Sequence, residues 1–565
     1  MSRLHITGFR GVADLDLTIE PQTPIYLIGG NNSGKSTVLN AFALVLRGGG
    51  FHTFTPTEFD FHRATTGRAA EDFSISLHFE ADELEHLPAV QGVGSPVPVH
   101  GIRVVGRRKK DKFEHRHQLF DADGKAITLS SRTALKGDAK EAYREHGLGW
   151  TQYYARLDDI RKFLPEVWLL RPDNLDRSLY HWRTGPLQRL AKLLSERFLE
   201  QEWEFEYGGK RRQMPETIGT VHTFFQEAVE KFPFWQKDLR PRLESALGSY
   251  IGRSATIGLR PSIQSIQEWL EQQLAVSFAA EAGGPLTPLQ AMGDGWQSLV
   301  RMAALESLQH YEPEKQDPVL LLFEEPESFL HPHLRRKLRS VLERLAAAHW
   351  IPICSTHAPE FISFSRPQQI VRLWRMGSQS THGVLLSGSI PEGPKFQEKL
   401  EERGNHEFLF GRRAILCEGK DDCFALTTYF DKIGTDLDGL SVSIVDLGGI
   451  DNMPSYASIA KSLGIPWCAL TDEDIQPDGI LNPKTDVVRE QLIKLSADQD
   501  LVPVWPGSLE RSLSMTQGKA TPVWQEKHIA VLTVDRIASQ HPQFSKTCKS
   551  IADWLTSSVA RIDGA

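Results

Sequence analysis

The segment PIYLIGGNNSGKSTVLNAFALVLRG, residues 24–48, decides how the rest of the chain is read. An apolar strand over Ile25–Ile28 runs into Gly29-x-x-x-x-Gly34-Lys35-Ser36. A helix follows, with Val38, Leu39, Phe42 and Leu46 among its apolar residues. Strand, glycine loop and helix start, in that order, are the context of a phosphate-binding loop. Glycines let backbone N–H groups wrap phosphates, and the helix N-terminus adds partial positive charge. Lys35 is placed to reach the β- and γ-phosphates of ATP, and Ser36 to ligate magnesium. The loop residues Asn31, Asn32 and Ser33, with Thr37 behind them, complete the expected nucleotide contacts.

Upstream, RLHITGFRGVADLDLTIE (3–20) reads as two alternating strands around a GFRG turn. Far downstream, DPVLLLFEEPESFLHPHLRRKL (317–338) offers a buried strand that ends in two carboxylates. Opposite a phosphate loop, one acid holds magnesium and the other polarises the attacking water. Glu324 takes the first role and Glu325 the second, although aspartate is commoner at the first position. HWIPICSTHAPEFI (349–362) adds a strand followed by Ser355, Thr356 and His357. His357 is either a structural histidine or a contact to the γ-phosphate. In MGDGWQSLVRMAALESL (292–308), Gly293-Asp294-Gly295-Trp296-Gln297-Ser298 precedes a helix. Its N–H groups suit either a phosphate or an ordinary helix cap.

The C-terminal part repeats the strand-then-acid pattern. RRAILCEGKDDCFALTTYF (412–430) gives a strand, the Glu418-Gly419 turn and Asp422 opening a helix. LSVSIVDLGGIDNMPSYASIAKSLG (440–464) gives a strand, a glycine pair and a helix, and IPWCALTDEDI (465–475) gives a third strand ending in Asp472 and Asp474. Strands alternating with helices predict a small parallel sheet, whose carboxyl edge is where such sheets bind ligands. Glu418, Asp422, Asp472 and Asp474 gathered there require a cation, and magnesium prefers carboxylates. Glu473, between the two aspartates, is expected to face away.

The series GFRG, GxxxxGKS, GDGWQS, FEEPE and STHAPE resembles the ATP-binding-cassette ATPases of the RecF, Rad50 and SMC type. In that family the signature segment of one protomer meets the ATP of the other. The resemblance implies that Gly293, Gly295, Gln297 and Ser298 act in trans, that the protein dimerises, and that Arg10 lies near the nucleotide. Gly293-Asp294-Gly295 departs from the usual Ser-Gly-Gly core, and Gln118 is one candidate for the family's glutamine-bearing loop. The EGxxD, GG and DxD series closely resembles a Toprim domain. The fusion of the two resembles the OLD (overcoming lysogenization defect) family of ATP-dependent nucleases.

This resemblance implies ATP and two magnesium or manganese ions as cofactors, and DNA, nicked or cut on both strands, as substrate. It further implies prokaryotic antiphage defence, a homodimer or higher homo-oligomer, and a partner such as retron RNA/DNA or a helicase subunit. Glu325, His357, Glu418, Asp472 and Lys546 would be the catalytic set. Glu510, in VPVWPGSLERSL (502–513), matches a further metal ligand, and Lys546, in QFSKTCKSIADWL (543–555), the late lysine, with Lys549 as its competitor. On spacing alone, Glu510 also fits a helix N-terminal acid and Lys546 a solvated lysine. The alternative is a RecF-like repair ATPase whose Toprim domain binds nucleic acid or a partner without cutting. A primase or topoisomerase fits less well, since no zinc module or tyrosine-bearing second domain is recognisable.

The expected architecture is α/β: an ATPase N-terminal lobe over 1–164, a mostly helical insertion over 165–285, and an ATPase C-terminal lobe over 286–385. A linker over 386–411 and a Toprim domain over 412–565 complete it. Within the insertion, 187–203 and 265–278 show apolar residues at helical spacing, which suits dimerisation or a simple lid. The run RVVGRRKKDKFEHRH (103–117) carries 7 Lys/Arg in 15 residues. It is either a DNA-phosphate contact or a solvated hairpin. The formal charge, 64 basic against 72 acidic residues for a net −8, argues against a wholly basic nucleic-acid binder. The 5 cysteines form no CxxC pair, which suits reduced core residues. No apolar run reaches the ~20 residues of a membrane helix and the N-terminus lacks a signal pattern, so the cytoplasm is expected.

Overall fold

The fold was analysed in a computed structural model of the 565-residue chain. The structure describes residues 2–20, 22–47, 54–63, 69–79, 90–91, 96–97, 99–109, 112–127, 164–172, 186–200, 203–207, 209–214, 277–278, 287–288, 291–311, 319–348, 350–363, 369–376, 380–387, 405–474, 482–497, 500–513 and 529–562, with a few single positions between 231 and 244. Two compact units emerge: residues 1–172 with 313–565, and residues 173–312.

In the first unit, strands β1 (Arg3–Phe9), β2 (Val12–Thr18), β4 (Asp72–His78), β5 (Gly101–Lys109) and β6 (Lys112–Phe120) form an antiparallel sheet in the order β2-β1-β4-β5-β6. Leu4, Ile6, Leu15 and Leu17 are buried while their neighbours are not, the alternation of a sheet with one wet face. The GFRG turn joins β1 to β2. Gly8 has φ +64°, and a Cβ there would lie 2.6 Å from the Asp72 carbonyl oxygen, so the turn needs glycine. The basic run folds as the β5–β6 hairpin, with Lys109 opposite Lys112 and Gln118 opposite Arg103.

The second sheet is mixed and holds the nucleotide motifs. Its strands are β3 (Ile25–Ile28), β7 (Glu166–Leu170), β8 (Val319–Glu324), β9 (Ile351–Ser355), β10 (Gln369–Met376) and β11 (Ser380–Ser387), in the order β11-β10-β3-β9-β8-β7. All pair in parallel except β11. Every residue of β3 and all but the last of β8 are buried, as expected of strands covered on both faces. Helix α1 (Lys35–Val45) starts at Gly34, which has φ +102°. The strand β7 corrects the expected boundary. Residues 166–170, assigned above to a mostly helical insertion, form the edge of this second sheet, because EVWLL is an apolar strand whose partner β8 comes 153 positions later (319 − 166).

The second unit contains helix α2 (Pro186–Glu200), an antiparallel hairpin of Trp203–Tyr207 with Lys210–Met214, and helix α3 (Asp294–Tyr311). The insertion is therefore not purely helical, and the helix expected over 187–203 stops before Trp203. Of the helix expected over 265–278, residues 265–276 lie outside the described residues, and Ser277–Phe278 is a strand. The helix carrying the GDGWQS segment belongs to this unit.

The C-terminal sheet is fully parallel. Strands β12 (Arg413–Cys417), β13 (Val442–Asp446), β14 (Trp467–Asp472) and β15 (Val504–Trp505) lie in the order β13-β12-β14-β15. Helices α5 (Lys420–Ile433), α6 (Met453–Ser462), α7 (Pro483–Leu495), α8 (Leu509–Ser512), α9 (Val534–Gln540) and α10 (Pro542–Ile562) accompany it, while α4 (Pro332–Ala347) packs on β9 of the second sheet. A second core of Ile415, Leu426, Phe430, Trp505, Phe544 and neighbours is separate from the ATPase core around Phe42 and Leu320. A buried side chain joins the two sheets. Arg372 of β10, 4% exposed, donates to the carbonyls of Gly411 at 2.8 Å and Leu463 at 3.1 Å.

Candidate active sites at two sheet edges

The first site gathers at the carboxyl edge of the nucleotide sheet. Parallel register sets Glu324 opposite Ser355 and Ser355 opposite Leu27, so β3, β9 and β8 present their ends together. Gly29 has φ +137°, and a Cβ there would lie 2.0 Å from the Leu373 carbonyl oxygen of β10. Lys35 is buried, and its Nζ donates to the carbonyls of Gly29 at 2.9 Å and Gly30 at 3.0 Å. Burial pulls its pKa down to about 8 against the opposing pull of Glu325, Glu327 and Glu324. The Ser36 hydroxyl donates to Glu324, whose other oxygen pairs with Arg171 Nε at 3.3 Å.

Glu325 sits at φ +45°, a conformation that costs a non-glycine residue about 1–3 kcal/mol. Its N–H donates to the Ser355 carbonyl at 2.9 Å, which fixes the turn. Glu327 is buried and accepts from the Thr356 hydroxyl at 2.9 Å and the His357 N–H at 2.6 Å. Thr356 N–H in turn donates to Leu27 of β3. Burial, with the Lys35 charge, holds the His357 pKa down to about 4, so the imidazole is neutral near pH 7. Arg10, at φ +50°, binds Asp60 at 2.9 Å and lines a cavity of about 650 Å³ with Phe54, Phe59 and Arg63.

Within the second unit, Gly293 provides the carbonyl that accepts from Trp296 and Gln297 at the start of α3. The Gln297 amide turns back to the Met292 carbonyl at 3.0 Å, while Ser298 is buried. Gly293 is exposed and Gly295 half-buried.

The second site is the carboxyl edge of the C-terminal sheet. Cys417 pairs with Leu470, so Glu418 and Asp472 leave adjacent strands close to the same level. Asp422, in the first turn of α5, is buried. It accepts from Gly419 N–H at 3.1 Å and from the Trp505 indole Nε1 at 2.9 Å. Burial, reinforced by the charges of Glu418 and Asp421, pushes its pKa up to about 7 despite those two bonds. Asp472 accepts from Leu509 N–H at 3.2 Å at the start of α8, the short helix that carries Glu510. Glu473 accepts from Gly507 N–H at 2.8 Å, so it holds the loop leading to α8. Asp474, at φ +48°, accepts from Asn482 at 2.7 Å and Thr485 at 3.0 Å. The side chain of Glu510 lies outside the described residues. Lys546 and Lys549 are both exposed on α10.

An all-carboxylate donor set fits a hard divalent cation in kind. The acids are not, however, closed into one cage: among the described residues no three His, Cys, Asp or Glu side chains are close enough to hold an ion together. The expected convergence is thus an edge shared by four acids, of which Asp422, Asp472 and Asp474 each accept hydrogen bonds from donors of their own.

Residues 409–474 match the family model described as "Overcoming lysogenization defect protein-like, TOPRIM domain". Residues 106–363 match "AAA domain, putative AbiEii toxin, Type IV TA system", and residues 1–91 match a domain of unknown function. The chain is 25% identical over 497 residues to the OLD nuclease of Thermus scotoductus (strain ATCC 700910 / SA-01), covering 84% of this chain and 82% of that protein. The chain is thus similar to an OLD nuclease along most of its length. It is also 23% identical over 509 residues to the Old nuclease of Escherichia phage P2, covering 86% and 79%. Among solved structures, an SMC head bound to the C-terminal winged-helix domain of ScpA matches at 15% identity with a TM-score of 0.39, covering 68% of this chain and 97% of that one. One chain thus joins an ATPase domain to a Toprim domain.

Sequence reasoning passed over three residues of these two edges. Arg171 follows β7 and pairs with Glu324; its signal was the apolar EVWLL run before it. Glu327 holds the His357 loop through partners 29 and 30 residues away, which no local pattern reveals. Trp505 reaches Asp422 from 83 positions further along the chain.

Proposed function

We propose that the chain is an ATP-binding and ATP-hydrolysing enzyme whose Toprim domain cuts DNA with the help of divalent metal. The observation that carries this reading is the pairing of two parallel sheet edges in one chain, one ending in Lys35, Glu324 and Glu325, the other in Glu418 and Asp472. Glu418, Asp422, Asp472, Asp474 and Glu510 would hold magnesium or manganese, which supplies Lewis-acid stabilisation of the phosphate and a more acidic water. Lys546 contributes positive charge toward the departing phosphate oxygen.

At the other edge, Lys35 moves from the Gly29 and Gly30 carbonyls to the β- and γ-phosphates of ATP. Ser36 and Glu324 hold magnesium there, Glu325 orients the attacking water, and the neutral His357 contacts the γ-phosphate. The loop amides of Asn31, Asn32, Ser33, Gly34 and Thr37 wrap the phosphates, with Arg10 beside the nucleotide. Gly293, Gly295, Gln297 and Ser298 complete the site of a second protomer, which makes the working form a dimer. Antiphage defence in a prokaryotic cytoplasm, with a nucleic-acid or helicase partner, is the biological setting that the family suggests.

The test is plasmid cleavage in magnesium or manganese, with and without ATP, by wild type, Asp472→Ala and Lys35→Ala. Asp472→Ala is expected to lose cleavage by on the order of 10²-fold or more, and Lys35→Ala to lose ATP hydrolysis. Undiminished cutting by Asp472→Ala removes the metal-edge reading. Plasmid retained by the wild type but never cut favours a Toprim domain that binds without cleaving.

A further inference from the structure

Trp505 occupies an unusual place in the acid edge. It is the last residue of β15, 0% exposed, and stands opposite Asp472 in the parallel ladder. Its carbonyl accepts the Glu473 N–H at 3.0 Å, so its backbone is fixed to the strand end that bears Asp472 and Asp474. Its side chain passes to the other acid strand and donates Nε1–H to Asp422 Oδ1 at 2.9 Å. A buried indole N–H needs an acceptor, and a core phenylalanine would fill most of the same space without one. The fully buried Trp168 and Trp467 have no hydrogen-bond partner for their indole nitrogens, so the bond is a particular feature of Trp505.

The ring plane is set from the far side. Phe544 of α10 stacks on Trp505 at 5.1 Å with a 4° interplanar angle, and the Thr547 hydroxyl donates to the Val504 carbonyl at 3.1 Å. Lys546 lies between these two anchors. One indole therefore bridges the β14 edge, the α5 acid and the helix carrying the late lysine.

From this geometry we infer that Trp505 is a positioning residue for the metal edge: its N–H fixes the rotation of the Asp422 carboxylate, and so which of its lone pairs stay open to a divalent ion at that edge. A carboxylate has about four lone-pair sites, and the Gly419 and Trp505 bonds occupy two. Outer partners of this kind fix ligand orientation, and their loss lowers metal affinity about 10–100-fold. The inference rests on this edge binding a divalent ion.

Trp505→Phe keeps the stack on Phe544 and removes only the N–H donor. In the full-length chain without nucleotide, magnesium chloride is titrated while tryptophan emission is followed, and plasmid cleavage is measured over the same range. The magnesium midpoint of cleavage is expected to rise about 10–100-fold in Trp505→Phe, with the cleavage rate at saturating magnesium largely kept. The wild-type emission change is expected to disappear in Trp505→Phe. Equal midpoints for a folded Trp505→Phe and the wild type overturn the inference and leave Trp505 an ordinary core residue. If Trp505→Phe does not fold, the wild type is compared with Asp422→Ala: an emission response that survives loss of Asp422 overturns it equally. A wild type that takes up magnesium through Trp505 but cuts no plasmid sinks the nuclease reading while leaving this one intact.

Discussion

The two sheet edges present carboxylates in the same way and hold them in opposite ways. At the nucleotide edge, cations stand among the acids: Arg171 pairs with Glu324, and Lys35 feels Glu325, Glu327 and Glu324. At the Toprim edge, neutral donors do the holding, with Gly419 and Trp505 on Asp422, Leu509 on Asp472, Gly507 on Glu473, and Asn482 and Thr485 on Asp474. Burial opposes charge at both, pulling Lys35 down to about 8 and pushing Asp422 up to about 7. On the reading proposed above, a phosphate would relieve the first and a metal ion the second. The chemistry of each edge is therefore visible in the sign of the charge that burial disfavours.

The largest expected effect tests whether Glu325 acts on water or only shapes the turn. Glu325→Gln preserves size and the backbone bond to Ser355, and is expected to slow phosphate release from ATP by about 10²–10⁴-fold with ATP affinity nearly unchanged. A variant that hydrolyses ATP at the wild-type rate removes Glu325 from the chemistry.

Next comes the burial of Asp422. Its folded pKa is raised from 3.8 to about 7, so the native protein binds a proton that the unfolded chain has released across that window. Stability is then fully present below about pH 4 and lost as pH rises toward about 7, on the order of a few kcal/mol. Urea unfolding in EDTA from pH 4.5 to 7.5 should show a steeper fall for wild type than for Asp422→Asn. Parallel slopes would contradict a buried, proton-holding Asp422.

The smallest effect concerns Arg171, whose half-exposed pairing with Glu324 contributes at most about 1 kcal/mol. Arg171→Gln is expected to leave the melting temperature close to wild type. It should lower, by a few-fold, the magnesium needed for half-maximal ATP hydrolysis, since guanidinium no longer competes for Glu324. An unchanged magnesium requirement would mean that Glu324 and the ion do not meet.

The parts that were legible in the sequence are those whose chemistry is local. A glycine loop between strand and helix, and acids immediately after an apolar run, place Lys35, Glu324, Glu418 and Asp472 without knowledge of the fold. What stayed hidden depends on long-range pairing. Five residues, Glu166–Leu170, are too few to show their period within a segment that otherwise reads as helical, and β8 alone makes them a strand. Glu327 lies in the same acidic segment, but its bonds to Thr356 and His357 cross 29 and 30 positions and have no local signature. The DxD pair is expected at one cation edge; long-range partners separate its members, since Asp472 accepts from the start of α8 and Asp474 from Thr485 of α7.

Arg372 has a consequence for how this architecture can diverge. Its guanidinium, brought down to about 10 by burial, meets peptide carbonyls at Gly411 and Leu463 rather than carboxylates. Nearly any residue can supply a carbonyl, so on the Toprim side the joint is encoded in the path of the main chain and leaves no matching acid to find in the sequence. Gly464 is the exception: it sits at φ +63°, and a Cβ would come within 3.1 Å of the Trp374 ring. Homologous Toprim domains could thus be exchanged beneath this ATPase with little regard for side chains at 411 and 463, provided that the turn at 463–464 keeps its shape.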